Sequence, residues 1–275
     1  MQISTEEFKE FRDFLQVTAG INLADNKQYL VSTRIRKILS ENQMQTVGEL
    51  TRAVKTPTNK RLRQAVVDAM TTNETFWFRD LYPFDYLRHQ LLPEYAKQGR
   101  SDKIRIWSAA CSSGQEPYSI SMAVEEFIRD SIGHSHLPVD IVSTDLSSQV
   151  LEKAKQGLYD RLSIGRGLSS ERLREFFTET SEGWQVKDSL RRRVTFLALN
   201  LLDPYRMLGR FDIVFCRNVL IYFSSELKQD ILRRIHATMK PGACLFLGSS
   251  ESLTGVAEHF EIIHCSPGVV YRALK

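Results

Sequence analysis

The stretch Ile104-Arg105-Ile106-Trp107-Ser108-Ala109-Ala110-Cys111-Ser112-Ser113-Gly114-Gln115-Glu116-Pro117-Tyr118 constrains the fold more than any other part of the chain, because it reads as a buried strand, a tight small-residue turn and a helix start. Ala109, Ala110, Ser112, Ser113 and Gly114 carry little side-chain bulk, so a ligand can lie against the backbone while the free N–H groups of the following helix point at it. The loop has neither the P-loop lysine nor the three-glycine dinucleotide fingerprint, and Glu116 would repel a phosphate. A ligand carrying hydroxyls or an ammonium group suits it better.

Three further apolar runs extend the pattern: Val139 to Ser147, Phe211 to Asn218 and Ala243 to Gly248, each next to a helical stretch. Strands alternating with helices predict an α/β fold with a mainly parallel, Rossmann-like sheet whose ligands sit at the strand C-terminal ends. Asp145, Asn200, Arg217 and Asn218 fall at such ends, and Asp145 is suited to accept hydrogen bonds from ribose hydroxyls.

The first seventy or so residues have helical periodicity and no convincing strand. Ser4 and Glu7 form a capping-box pair for a helix carrying Phe8, Phe11 and Leu15. A second helix is expected from about Asn26 to Glu41, with Val31, Ile35, Ile38 and Leu39 inward and Lys27, Arg34, Arg36 and Lys37 on a basic outer face. Two shorter helices, near Val47 to Val54 and Asn59 to Met70, are separated by Pro57. Residues 1–73 hold eleven Lys and Arg against eight Asp and Glu, so this basicity is local and fits an acidic partner better than a nucleic-acid backbone.

Trp184-Gln185-Val186 and Val194 to Ala198 interrupt the strand–helix alternation and suggest a small antiparallel excursion at about 180–200. Cys111, Cys216, Cys244 and Cys265 lack metal-ligand spacing and read as free thiols of a reducing cytoplasm. The absence of a spanning apolar run or a leader-like N-terminus likewise predicts a cytoplasmic chain with no membrane insertion. The 275-residue length and net charge of +4 describe many soluble proteins and select no function.

Five blocks taken in order resemble the CheR-type chemotaxis receptor methyltransferases. They are Thr72 to Asp80, Ala109 to Ser119, Asp145-Leu146-Ser147, Asn200-Leu201-Leu202 and Cys216 to Phe223. The resemblance implies a class I methyltransferase sheet, S-adenosylmethionine as cofactor with S-adenosylhomocysteine as product, no metal, and chemoreceptor glutamates as substrate. It implies a helical receptor-recognition domain at 1–73, a linker and bridging helix at 74–96, and a methyltransferase domain at 97–275 with its β-subdomain at about 180–200. Asn73, Thr75, Arg79, Gly114, Glu116, Asp145, Asn200, Leu201, Arg217 and Asn218 are the expected cofactor-site residues. Arg79 and Tyr222 are the expected catalytic pair, and Arg34, Arg36 and Lys37 the expected contacts to the receptor's methylation helices. In some members the β-subdomain binds a peptide at the receptor's C-terminal tail. The turn around Thr180 to Gly183 is short and glycine-poor here, so a member that does not need the tail is expected; the chain is also expected to be a monomer.

A glutamate side chain, with a pKa of about 4.3, is already ionised at neutral pH and attacks a methyl group without a general base. This explains why no catalytic dyad stands out. The plainer readings are an Arg79–Asp80 ion pair, Tyr222 as a core aromatic beside Phe223, and Asp145 as a helix cap. A nucleic-acid or small-molecule methyltransferase is disfavoured because Cys216-Arg217-Asn218-Val219 stands where an Asn/Asp-Pro-Pro-aromatic signature would. A non-catalytic cofactor sensor is disfavoured by the presence of both Arg79 and Tyr222.

Overall fold

The structure is a computed structural model that describes residues 3–99, 102–131 and 137–274. It opens with four helices: α1 (Thr5–Ala19), α2 (Gln28–Glu41), α3 (Val47–Lys55) and α4 (Lys60–Met70). The capping box at α1 forms as expected, with Ser4 Oγ accepting from Glu7 N at 3.2 Å and Glu7 Oε2 accepting from Ser4 N at 3.1 Å. Glu7 also accepts from Gly48 N at 3.1 Å, so one carboxylate starts α1 and fixes α3 against it. Those backbone donors, Ser4 first, hold the Glu7 pKa below its ordinary value. Phe8, Phe11, Leu15, Val31, Ile35, Ile38 and Leu39 are buried in one core. Each contributes on the order of 1.5–3 kcal/mol by leaving water.

After the strap at 71–81, a helical run comprises α5 (Tyr82–Tyr86), a π-helical turn (Leu87–Leu91) and α6 (Leu92–Lys97). Then come β1 (Ile104–Ala109), α7 (Gln115–Asp130), β2 (Val139–Asp145), α8 (Ser148–Gln156), β3 (Leu158–Tyr159), α9 (Arg161–Ile164), α10 (Ser170–Phe176), β4 (Phe177–Thr180), β5 (Gly183–Val186) and α11 (Asp188–Arg191). The chain finishes with β6 (Val194–Ala198), β7 (Phe211–Cys216), α12 (Ser225–Thr238), β8 (Met239–Leu247), β9 (Phe260–Cys265) and β10 (Gly268–Ala273).

The seven-stranded sheet runs β6-β2-β1-β7-β8-β10-β9. Its first five strands are parallel and β10 is antiparallel to both neighbours. This is a mainly parallel, Rossmann-like α/β arrangement. The order reverses between β1 and β7, which opens a crevice beyond their C-terminal ends. One apolar core covers the face under α5 and α7, and another the face under α12.

The expected excursion at about 180–200 is corrected. Val194–Ala198 pairs in parallel with β2, from Ile141↔Val194 to Asp145↔Ala198, and is the edge of the main sheet. The small antiparallel sheet is β3-β5-β4, drawn from Leu158–Tyr159, Gly183–Val186 and Phe177–Thr180. Both apolar runs have strand character, but sequence does not say which strand each pairs with. Helix α11 separates them and carries the chain back to the free edge of β2, where parallel pairing needs such a crossover.

Candidate active site

A cleft lies at the sheet's switch point, bounded by the helical domain, the strap and the loops after β1, β2, β6 and β7. Asn73, Thr75, Arg79, Glu116, Asp145, Asn200, Leu201, Arg217, Asn218 and Tyr222, which are dispersed in sequence, all line it. Gly114 does not. At φ +94° a Cβ there would meet Tyr159 Oη at 2.9 Å and Ala154 Cβ at 3.0 Å. Its glycine therefore serves the turn and the packing of the loop on α8 and β3.

The loop after β1 bends through two left-handed residues other than glycine, Ala110 (φ 56°) and Ser112 (φ 51°). Such conformations cost about 1–3 kcal/mol each and persist only where the surroundings fix them. Cys111 N donates to Thr144 O at 2.9 Å, Ser112 N to Asp145 Oδ2 at 2.8 Å and Ser112 Oγ to Asn73 O at 2.9 Å. The loop is thereby tied to β2 on one side and to the strap on the other.

Asp145 is buried at the end of β2 and also accepts from Ser147 N at 2.9 Å, so helix-start and site roles coexist in one carboxylate. Each oxygen keeps lone-pair capacity beyond its backbone donor. Burial raises its pKa, and the backbone donors of Ser147 and Ser112 oppose that rise. Glu116, in the first turn of α7, accepts from Ser108 Oγ at 2.8 Å and from Arg217 Nη1 at 3.1 Å. Burial raises its pKa as well, against the nearby Arg217 charge.

Arg217 joins the two walls of the cleft. With a side chain 1% exposed, it donates to Glu116, to Asp80 Oδ2 at 2.6 Å and to Arg79 O at 2.8 Å. Its Nε–H has no hydrogen-bond partner among the described residues. Asp80 therefore pairs with Arg217 and not with its neighbour Arg79. The Arg79 guanidinium lies over the Phe76 ring at 5.1 Å and donates at 3.4 Å to Glu74 O, without a carboxylate partner among the described residues. Tyr222 is half-buried in the 3-10 turn Leu220–Tyr222, and its hydroxyl makes no hydrogen bond among them.

The helical domain supplies Ala19, Ile21 and Met70 to the cleft wall, which no sequence signal marked. Asn200 Nδ2 donates to Thr18 O at 2.8 Å, and Asn22 N donates to Tyr222 O at 2.9 Å. On α2, Arg36 and Lys37 are exposed, with Lys37 3.7 Å from Glu41. Arg34 turns inward instead: it donates to Met70 O at 2.7 Å, Thr71 O at 3.0 Å and Thr72 Oγ1 at 3.1 Å. It caps the C-terminus of α4, where carbonyls are unpaired, and fixes the strap. Of the three expected receptor contacts, Arg36 and Lys37 are exposed and Arg34 is half-buried. Among the described residues no helix is long and apolar enough to cross a membrane, and no group of three or more His, Cys, Asp or Glu is disposed to hold a metal ion.

Comparison with known proteins accounts for both halves of this architecture. The family model "CheR methyltransferase, all-alpha domain" matches residues 6–71, and "CheR methyltransferase, SAM binding domain" matches residues 73–269. Chemotaxis protein methyltransferase 1 of Pseudomonas aeruginosa is 54% identical over 274 residues, covering 99% of this chain and 100% of that one. Chemotaxis protein methyltransferase Cher2 of Pseudomonas putida is 52% identical with the same coverage. The chemotaxis protein methyltransferase of Salmonella typhimurium is 34% identical over 95% of this chain and 89% of its own length. Over nearly its whole length, this chain belongs to the CheR methyltransferase family.

Proposed function

We propose that this S-adenosylmethionine-dependent methyltransferase esterifies glutamate side chains on the cytoplasmic methylation helices of chemoreceptors, releasing S-adenosylhomocysteine. The observation that carries this reading is a single cleft lined by buried Asp145, by half-buried Glu116, by Arg79 without a carboxylate partner among the described residues, and by Tyr222. The residues fit the cofactor. Asp145 offers lone pairs to ribose hydroxyls, Glu116 offers a carboxylate to an ammonium group, and the unpartnered Arg217 Nε–H in a cleft-lining side chain calls for an acceptor. Asn200 and Leu201 suit the adenine end, and Asn73, Thr75 and Asn218 complete the wall.

When bound, S-adenosylmethionine supplies an electrophilic methyl group and a neutral thioether leaving group. The acceptor would be a glutamate carboxylate, already ionised at neutral pH, so the residues of this chain would have no proton to remove. The protein's task is alignment and exclusion of water, worth on the order of 7–11 kcal/mol in favourable cases. Arg79, held by cation–π contact rather than by an acid, orients the incoming carboxylate through a loose contact. A tight bidentate clamp would lower its nucleophilicity. The Tyr222 hydroxyl donates to the same carboxylate. Arg36 and Lys37 attract the acidic methylation region, and the protein acts as a cytoplasmic monomer without nucleic acid.

Methyl transfer to a purified receptor cytoplasmic fragment tests the assignment. At saturating cofactor and receptor, Arg79→Ala and Tyr222→Phe are expected to slow turnover far more than they weaken cofactor binding. Wild-type turnover in both variants would refute the proposed roles.

A further inference from the structure

Glu251, at the turn after β8, lies outside the cleft lining yet holds its catalytic rim. Its Oε2 accepts from Asn218 N and from Gly248 N, each at 2.7 Å, and its Oε1 accepts from Leu220 N at 2.7 Å. Three backbone donors thus converge on one carboxylate from the C-terminal ends of two adjacent parallel strands. Two of them belong to the turn that leads from Arg217 to Tyr222. Asn218 takes a left-handed conformation there (φ 59°), which an asparagine tolerates but does not prefer. Charge-assisted bonds to both sides of that residue fix the bend.

Gly248 is part of the same device. A Cβ on it would stand 2.7 Å from Asn218 Nδ2, 2.7 Å from Glu251 Oε2 and 2.9 Å from Asn218 N. The close approach of carboxylate and turn therefore requires glycine at this position. The turn is further held by Tyr222 N on Val219 O and by Asn22 N on Tyr222 O, and the Tyr222 side chain lines the cleft.

We infer that Glu251 is a positioning residue for methyl transfer, acting through the Asn218–Tyr222 turn to set the place of the Tyr222 hydroxyl. The inference rests on the catalytic reading of Tyr222. Glu251→Gln keeps the shape but turns one acceptor oxygen into a donor facing a backbone N–H. A displacement of reacting groups by an ångström can cost about a hundredfold in rate, so a fall in kcat of about tenfold to a hundredfold is expected. The KM for receptor should change little.

The test compares turnover of wild type, Glu251→Gln, Tyr222→Phe and the double variant, with thermal melting as a check of folding. Gly248→Ala perturbs the same contact from the opposite side should Glu251→Gln not fold. The expected result is that Glu251→Gln or Gly248→Ala slows turnover and that the double variant is no slower than the worse single one. Wild-type turnover of folded Glu251→Gln beside a slowed Tyr222→Phe would overturn this inference alone, as would losses that multiply in the double variant. Wild-type turnover of Tyr222→Phe would overturn the reading of Tyr222 and this inference with it.

Discussion

Asp145 accepts from two backbone N–H groups and still has lone pairs free at the cleft wall. Asp145→Ala should remove a charge-assisted contact worth about 1.5–3 kcal/mol, a loss of roughly 10- to 150-fold in affinity for S-adenosylmethionine and S-adenosylhomocysteine. Titration calorimetry on a folded variant checks this, and unchanged affinity would remove Asp145 from the site. The raised pKa values of Asp145 and Glu116 give the pH dependence its sign. A folded pKa above the unfolded one contributes stability below the unfolded value that is lost as pH rises through the folded one. Burial therefore disfavours the charged forms of these carboxylates, and hydroxyl and ammonium donors of a bound cofactor would favour them. Because the cofactor needs the ionised forms, its affinity should fall on acidification through folded pKa values that burial has raised above the ordinary 3.8 and 4.5. Calorimetry across pH reads this, and affinity that rises on acidification would contradict it. Asp145 and Glu116 were legible in sequence because strand ends and helix starts announce themselves by pattern. The place of Gly114 was not, since the φ of a turn and the approach of Tyr159 depend on a distant segment.

At the scale of the element, α2 separates two kinds of arginine that sequence could not. Its inward and outward faces follow from helical periodicity, and Val31, Ile35, Ile38 and Leu39 are buried as the pattern implies. Arg34 and Arg36 both belong to the polar arc, yet Arg34 reaches the end of α4 while Arg36 remains in solvent. A side chain that long finds unpaired helix-terminal carbonyls only once the bundle has packed. Arg34→Ala should destabilise the domain by about 1–3 kcal/mol and loosen the strap, weakening cofactor binding without altering the salt dependence of receptor methylation. Reversing Arg36 and Lys37 to Glu should do the opposite. Exposed charges are screened beyond about 8 Å at physiological ionic strength, so this pair should lower methylation at subsaturating receptor most strongly in low salt. Initial rates measured against salt distinguish the two, and a double reversal with wild-type rates at low salt would remove the charged face from recognition.

Across the whole molecule, the five separated motifs meet in one cleft because the sheet order reverses between β1 and β7. The alternation of strands and helices made the α/β class legible, while strand pairing was not. Val194–Ala198 and Gly183–Val186 look alike as runs but belong to different sheets. Nor did sequence indicate that Ala19 at the end of α1 and Ile21 just beyond it close the cleft, because apolar residues at such positions read equally well as core. The β4–β5 turn spans only Ser181 and Glu182 between the paired Thr180 and Gly183, leaving little loop with which to hold a peptide. Truncating the receptor's C-terminal tail should therefore change methylation rates little at subsaturating receptor, and a large loss would assign the small sheet a tethering role.

The most direct test of the central claim is mass mapping of methyl groups on a receptor cytoplasmic fragment incubated with this protein and S-adenosylmethionine. The account predicts base-labile methyl esters on glutamates of the methylation helices, lost with Arg79→Ala at saturating cofactor. Methyl groups on other side chains, or an unmodified receptor beside an enzyme that binds the cofactor, would contradict it.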